Sequence, residues 1–576
     1  MKNINEECGD EGLNDNFSKE FEMARPVHCD QYTNTMKIAS PDVERAQEED
    51  DSNSDLSCSL EPLMCNENLL LTGSSNNTSD ICEQISDDKN VDQLPSAPAG
   101  DSMEQKLRAW ASRNLPTLSL SVITDLLATI RSEGYSSLPQ TAQGLLKTVH
   151  KQDIDIMLSS EGNEGGFKYL GIDSGLRKII SPDIYTENKI AVFAHIDGMQ
   201  LYKSSTMTVW PIAIKIHHEN YICKPFVAAI YCGDSKPACV GDYMKKFVTE
   251  INYLTKKGIK IRGKKYSFEL LGIVADSPAR SFIKCCKGSG GYYACERCTI
   301  KGLSVGQGRH QTRIYSELNC PARTGESFSL RSQPQHHHEE PSPLVSINHF
   351  NPVTQVVLDS MHLLYCGTMK WLLQKWILRG SPQRLRPNKV QQLQSLLKEI
   401  ESDVPCEFQR KQFDIHMVSR WKATQYRFFL NYLGPIALKG ILSENYYNHF
   451  LLLFVASRIL HSEKLMKTHV DYADHLLRKF FQLLPSLYGP RSQILSMHNL
   501  IHVSDDVRNY NLTLNEMSAF WGENYIAIFK KLVKSSKKPL TQIVNRLSEM
   551  ESGTDMLVKK NSKIAEIVID KRIEFY

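Results

Sequence analysis

Between residues 189 and 232 the apolar positions fall into three short runs, 190–196, 207–216 and 226–231, rich in β-branched and aromatic residues. Polar turns at Asp197-Gly198 and at His218-Glu-Asn220 separate them, which predicts three strands in an antiparallel meander. From about 241 to 257 the period changes to that of a helix, with Tyr243, Phe247, Ile251 and Leu254 on one face, and a fourth apolar strand follows at 268–275. Upstream, residues 104–150 repeat apolar positions at helical spacing, among them Leu107, Trp110, Leu120, Ile123 and Leu127, and read as a small helical module. From Val353 onward the helical period is nearly unbroken, giving a helical insertion over 353–515 and a further helix in 516–550.

Three meandering strands, a crossover helix and a fourth strand parallel to the first is the order of a ribonuclease-H-like core. The expected fold class is therefore α/β: a ribonuclease-H-like mixed sheet at 185–300, interrupted by a large all-helical insertion. Residues 301–352 read as an irregular loop in which His336-His-His338 is solvated, and 551–576 as a C-terminal tail. Residues 1–103 show neither period and are rich in Asn, Ser, Asp and Glu, so they are expected to be a disordered acidic leader.

Charge sharpens this division. The first hundred residues carry 22 acidic against 6 basic side chains, and the rest of the chain carries 62 basic against 43 acidic. A basic body suits a polyanionic partner, and Lys530, Lys531 and Lys534 are candidate phosphate contacts. No run reaches the roughly 18 to 20 apolar residues of a membrane span, and fifteen cysteines without a secretion signal read as thiols and metal ligands.

Asp197 ends the first strand and Asp276 the fourth. On parallel neighbouring strands both carboxylates would emerge at one sheet edge, where hard oxygen ligands can share Mg²⁺ or Mn²⁺ ions for phosphodiester chemistry. Each aspartate alone also suits an ordinary turn. A third carboxylate is expected from a later helix, and Glu523 in Phe520-Trp-Gly-Glu-Asn-Tyr-Ile526 is the candidate. Cys295-Glu-Arg-Cys298 has the spacing of a zinc knuckle, and His498 and His502 share one helix face, so the four can form a structural Cys₂His₂ zinc site. His362, with Asp359 three residues before it, is a competing ligand, and two buried thiols with two hydrogen-bonded histidines is the plain alternative. Lys287-Gly-Ser-Gly-Gly291 lacks the Lys-Ser/Thr of a phosphate loop and reads as a flexible approach to the knuckle.

Six strings occur in one order: His195-Ile-Asp-Gly-Met-Gln-Leu-Tyr-Lys-Ser-Ser205, Ala275-Asp-Ser-Pro-Ala-Arg280, Gly291-Tyr-Tyr-Ala-Cys-Glu-Arg-Cys298, Asp359-Ser-Met-His-Leu363, His498-Asn-Leu-Ile-His502 and Phe520-Trp-Gly-Glu-Asn-Tyr525. This order resembles animal DDE transposase-like proteins of the CACTA and Chapaev-related group, over about 107–547, with a core similar to that of the V(D)J recombinase. The resemblance implies an Asp-Asp-Glu triad on Asp197, Asp276 and Glu523, and a zinc set on Cys295, Cys298, His498 and His502. It also implies a nuclear, homo-oligomeric protein that cuts transposon ends and joins them to target DNA. A transposase-derived protein that binds DNA or protein without cutting is the other expectation.

Overall fold

The computed structural model describes residues 102–558 apart from Lys203, Arg309, His310, Cys406, Glu407 and Gln409. The expected leader at 1–103 falls almost entirely outside the described residues, as does 559–576 of the expected tail at 551–576; residues 551–558 belong to the last helix, Pro539–Val558, and not to a tail. The described residues open with three helices, α1 Met103–Asn114, α2 Leu120–Ser132 and α3 Ala142–Leu146. Ser102, Ser119 and Thr141 cap them by accepting backbone N–H groups, and Ala111, Ile123, Leu127 and Leu145 form their common core. This is the predicted helical module.

A hairpin of β1 Asp155–Leu158 and β2 Glu164–Tyr169 comes next, then α4 Ile172–Ile179. The meander follows as β3 Lys189–Ile196, β4 Met199–Gln200, β5 Thr208–His217 and β6 Phe226–Gly233. The sheet thus begins before residue 185, because β2 pairs antiparallel with β6. Asp197-Gly198 is not the hairpin turn either: β4 folds back onto β5, pairing Met199 with Val209, and the chain reverses beyond it.

The crossover helix α5 Val240–Lys257 buries Tyr243, Phe247, Ile251 and Leu254 as its periodicity requires. Short β7 Ile259–Ile261 leads to β8 Lys264–Val274 and then α6 Ser277–Ile283. Residues 301–352 are more ordered than expected, with a hairpin of β9 Leu303–Val305 and β10 Thr312–Ile314. His336 and His337 are buried against Phe328, whose ring offers an apolar wall, and only His338 is exposed. The segment after Val353 is not helical from its start: β11 Val356–Val357 joins the sheet, pairing parallel with β8.

The sheet runs β1-β2-β6-β5-β3-β8-β11, so the fold is mixed α/β with a mixed sheet followed by a helical region. Helices α4 and α5 cover one face, where Leu176, Phe247 and Ile251 pack on Val192, Ile214 and Ala228. The helical region includes α7 Pro387–Ile400, α8 Glu444–His461, α9 Glu463–Tyr488, α10 Val503–Tyr510, α11 Phe520–Ile526 and α12 Pro539–Val558. Its own core holds Trp376, Phe429, Phe450, Leu477, Phe480 and Phe481. Ile526 and Phe529, with Ile543 and Val544 of α12, close the other sheet face over Val209, Ala213, Val227 and Ile230. Among the described residues no helix is long and apolar enough to cross a membrane.

Candidate functional site

Three parallel strands, β3, β8 and β11, share a register that aligns their C-terminal ends. His195 pairs with Val274, and Val274 with Val357. Asp197, Asp276 and Asp359 each lie two residues beyond that row, so three aspartates leave the sheet at one edge. Because side chains alternate along a strand, His195 is directed to the same face as Asp197.

Asp276 caps α6, its Oδ1 accepting from the Ala279 N–H at 2.7 Å, with Pro278 in the first turn. Asp359 holds two elements together. Its Oδ1 accepts from the N–H groups of Met361 and, at 2.8 Å, of Ala519 at the head of α11, while its Oδ2 lies 2.6 Å from His362 Nδ1. Glu523 of α11 is thereby brought over the sheet edge. Gly522 makes the approach possible, since a Cβ at that position would collide with the His195 ring.

Glu523 Oε1 lies 3.8 Å from His195 Nε2 and 3.9 Å from His362 Nε2. Ligand atoms of His195, Asp197 and Glu523 all fall within 4.8 Å of one another, close enough to hold a metal ion. Asp276 stands at the same edge but outside that set; its charge nevertheless acts on Asp197. Burial first, then the charges of Glu523 and Asp276 and a hydrogen bond with Glu523, raise the Asp197 carboxyl well above the usual range, opposed by His362. Burial would lower His362, yet the charge and hydrogen bond of Asp359, helped by Asp197 and Asp276, raise it to about 9. Burial holds His195 neutral, with a pKa lowered to about 3, and among the described residues neither of its nitrogens has a hydrogen-bond partner.

His195 and His362 are the members that sequence reasoning missed. The signal for His195 was its position two residues before Asp197 on a strand. His362 had been weighed as a zinc ligand, and the fold sends it to the carboxylates instead.

The four expected zinc ligands converge. Cys298 Sγ lies 3.4 Å from Cys295 Sγ and 3.3 Å from His498 Nε2; Cys295 Sγ lies 3.6 Å from His502 Nε2; the two Nε2 atoms are 3.3 Å apart. A tetrahedron with Zn–S of about 2.3 Å and Zn–N of about 2.0–2.1 Å has edges of roughly 3.3–3.8 Å. The buried cluster fits a metal such as zinc. The two residues inside the knuckle tie it to the rest of the site. Glu296 accepts from Arg280 of α6 at 2.8 Å and from Lys284 at 3.0 Å. Arg297 donates to both carboxylate oxygens of Asp506 in α10 and to the carbonyl of Val356 in β11.

Comparison with models of protein families gives no match, and neither does comparison with curated protein sequences.

Of the expected phosphate contacts, Lys530 and Lys534 are exposed and Lys531 is half-buried. All three follow α11, beside Phe529 and Leu532, which anchor that stretch to the sheet.

Proposed function

We propose that the chain is a metal-dependent DNA nuclease and strand transferase of the DDE transposase type, built on a ribonuclease-H-like core. The observation that carries this reading is the sheet edge: Asp197 and Asp276 on adjacent parallel strands, with Glu523 delivered over them by a helix that follows a large helical insertion. The order β6-β5-β3-β8-β11, an antiparallel meander extended by two parallel strands, supports the ribonuclease-H-like assignment.

In this reading Asp197, Glu523 and Asp276 hold divalent ions, Mg²⁺ or Mn²⁺, with His195 as a neutral nitrogen donor at the same place. Bound there, such ions supply Lewis-acid chemistry that activates water or a 3′ hydroxyl and steadies the leaving oxygen. The chain's own contribution is placement. Asp359 fixes both the start of α11 and the His362 ring, so the glutamate and an imidazolium face the aspartates together. The imidazolium offsets negative charge where a phosphodiester would lie. The Cys₂His₂ cluster holds zinc and keeps the knuckle, α6 and α10 in fixed relation. Lys530, Lys531 and Lys534 contact DNA phosphates, and the protein acts in the nucleus as a homo-oligomer.

A catalytically silent, transposase-derived binding protein is the second reading, and one observation favours it. The hydrogen bond between Asp197 and Glu523, with His362 beside them, balances the charge of the edge without an ion.

Nicking of supercoiled plasmid in Mg²⁺ or Mn²⁺ separates the two. The wild type is expected to nick and Glu523→Gln to lose nicking while still binding DNA. A folded, DNA-binding wild type that leaves the plasmid intact in both metals would move the assignment to the silent protein.

A further inference from the structure

Against α6, the helix that Asp276 caps, lies a cavity of about 640 Å³ that the proposed chemistry does not use. One wall is α6: Pro278, Ser281 and Phe282 fall at i, i+3 and i+4, so they share the helix face opposite buried Ala279, Arg280 and Ile283. The helix that Asp276 caps therefore presents its other side to this space.

Three cations from separate segments line the cavity: Lys236 before α5, Lys287 after α6, and Arg331. Lys236 Nζ lies 5.3 Å over the half-buried Phe282 ring. Lys287 Nζ is 3.2 Å from His338 Nδ1, while the Arg331 guanidinium donates to the carbonyls of His338 and Glu339, fixing that wall. His337 also lines the space, is 7% exposed, and its Nε2 has no hydrogen-bond partner among the described residues. Burial, then the charges of Arg331, Arg323 and Lys284, lower its pKa to about 4, so it is a neutral imidazole at physiological pH. Glu339 and Glu340 also line the space.

Cations, an unused imidazole nitrogen and carboxylates in one nucleotide-sized space match the parts of a nucleotide. Ammonium groups suit a phosphate, and an imidazole nitrogen and carboxylates suit the hydrogen-bonding edge of a base. We infer that this cavity is a subsite for one unstacked nucleotide of the DNA strand that enters the carboxylate edge. Lys236, over the Phe282 ring, and Lys287 hold its phosphate, and His337 Nε2 and the carboxylates meet its base. The inference rests on the nuclease reading only for the identity of the strand; the cavity's chemistry stands by itself.

The test is binding of a labelled single-stranded oligonucleotide to the full chain in Ca²⁺, followed by fluorescence anisotropy across a salt series. It compares the wild type with a Lys236→Ala/Lys287→Ala double variant, which removes one exposed and one half-buried side chain. Loss of the contacts to that one phosphate should weaken binding and flatten the slope of log affinity against log salt by about 0.7. Unchanged affinity and slope in the double variant would overturn the subsite. Deoxyadenosine monophosphate that binds the wild type as tightly as the oligonucleotide would overturn the strand as its occupant and make it a free-nucleotide pocket. A wild type that fails to nick plasmid, while the lysine variant still loses strand binding, removes the nuclease reading and keeps the subsite.

Discussion

At the scale of single residues, the site depends on side chains whose environments leave them no alternative. Gly522 is one, because its missing Cβ lets α11 rest on the His195 ring. Gly522→Ala overpacks that contact, which costs about 1–3 kcal/mol, and should lift Glu523 away from Asp197. Thermal melts should show the lost stability and plasmid nicking a larger fractional loss; full nicking with an unchanged melt would refute the packing account. Glu296 is another. It is buried between Arg280 and Lys284, and their charges hold its carboxyl far below the usual range against the opposing effect of burial. Glu296→Ala leaves two cations buried without a counter-charge and should destabilise the fold by roughly 3–5 kcal/mol. Chemical denaturation measures this, and a loss below about 1 kcal/mol would show that water compensates the pair.

At the scale of elements, the helical region carries a pH dependence of its own. His449 of α8 is buried, stacked on Phe480 of α9 at 4.1 Å, with Nε2 2.9 Å from the Phe480 carbonyl. Burial lowers its pKa to about 4 from 6.5. The unfolded chain therefore takes up a proton first as pH falls, so the stability is whole above pH 6.5 and drains away between 6.5 and 4. At 1.36 kcal/mol per pH unit, His449 accounts for about 2 kcal/mol of loss by pH 5. Melts of the wild type and His449→Phe at pH 7 and pH 5 should show a shallower pH dependence in the variant; parallel slopes would remove His449 from the account. The knuckle links elements too. Since Arg297 joins it to α10 and β11, a chelator that strips a metal from the Cys₂His₂ cluster should speed amide exchange in α10 and leave α5 unaffected. Equal exchange before and after chelation would mean that the hydrogen bonds suffice without a metal.

At the scale of the whole molecule, what was legible in the sequence was what is written locally. The meander and β8 announce themselves as short apolar runs and α5 by a period of 3.6, and the Cys₂His₂ members by ligand spacing. β11 was missed because two residues are too short to show a period, and β1 and β2 because exposed Ile156 and Leu158 leave β1 without a clean alternation. His336 and His337 read as solvated because burial against Phe328 is a tertiary fact that no local pattern carries. His362 sits 161 residues before Glu523 and Asp359 sits 160 before Ala519, so only the folded register reveals that these pairs meet. The molecule joins these distant segments at one place, the C-terminal edge of β3, β8 and β11. Whether that edge takes divalent ions is the central claim, and a titration of Mn²⁺ followed by electron paramagnetic resonance tests it most directly. The wild type should remove Mn²⁺ from the free signal, Mg²⁺ should displace it, and Asp197→Asn should abolish uptake while the melting temperature holds. A folded wild type that leaves all Mn²⁺ free, or an Asp197→Asn variant that binds it equally well, would contradict the account.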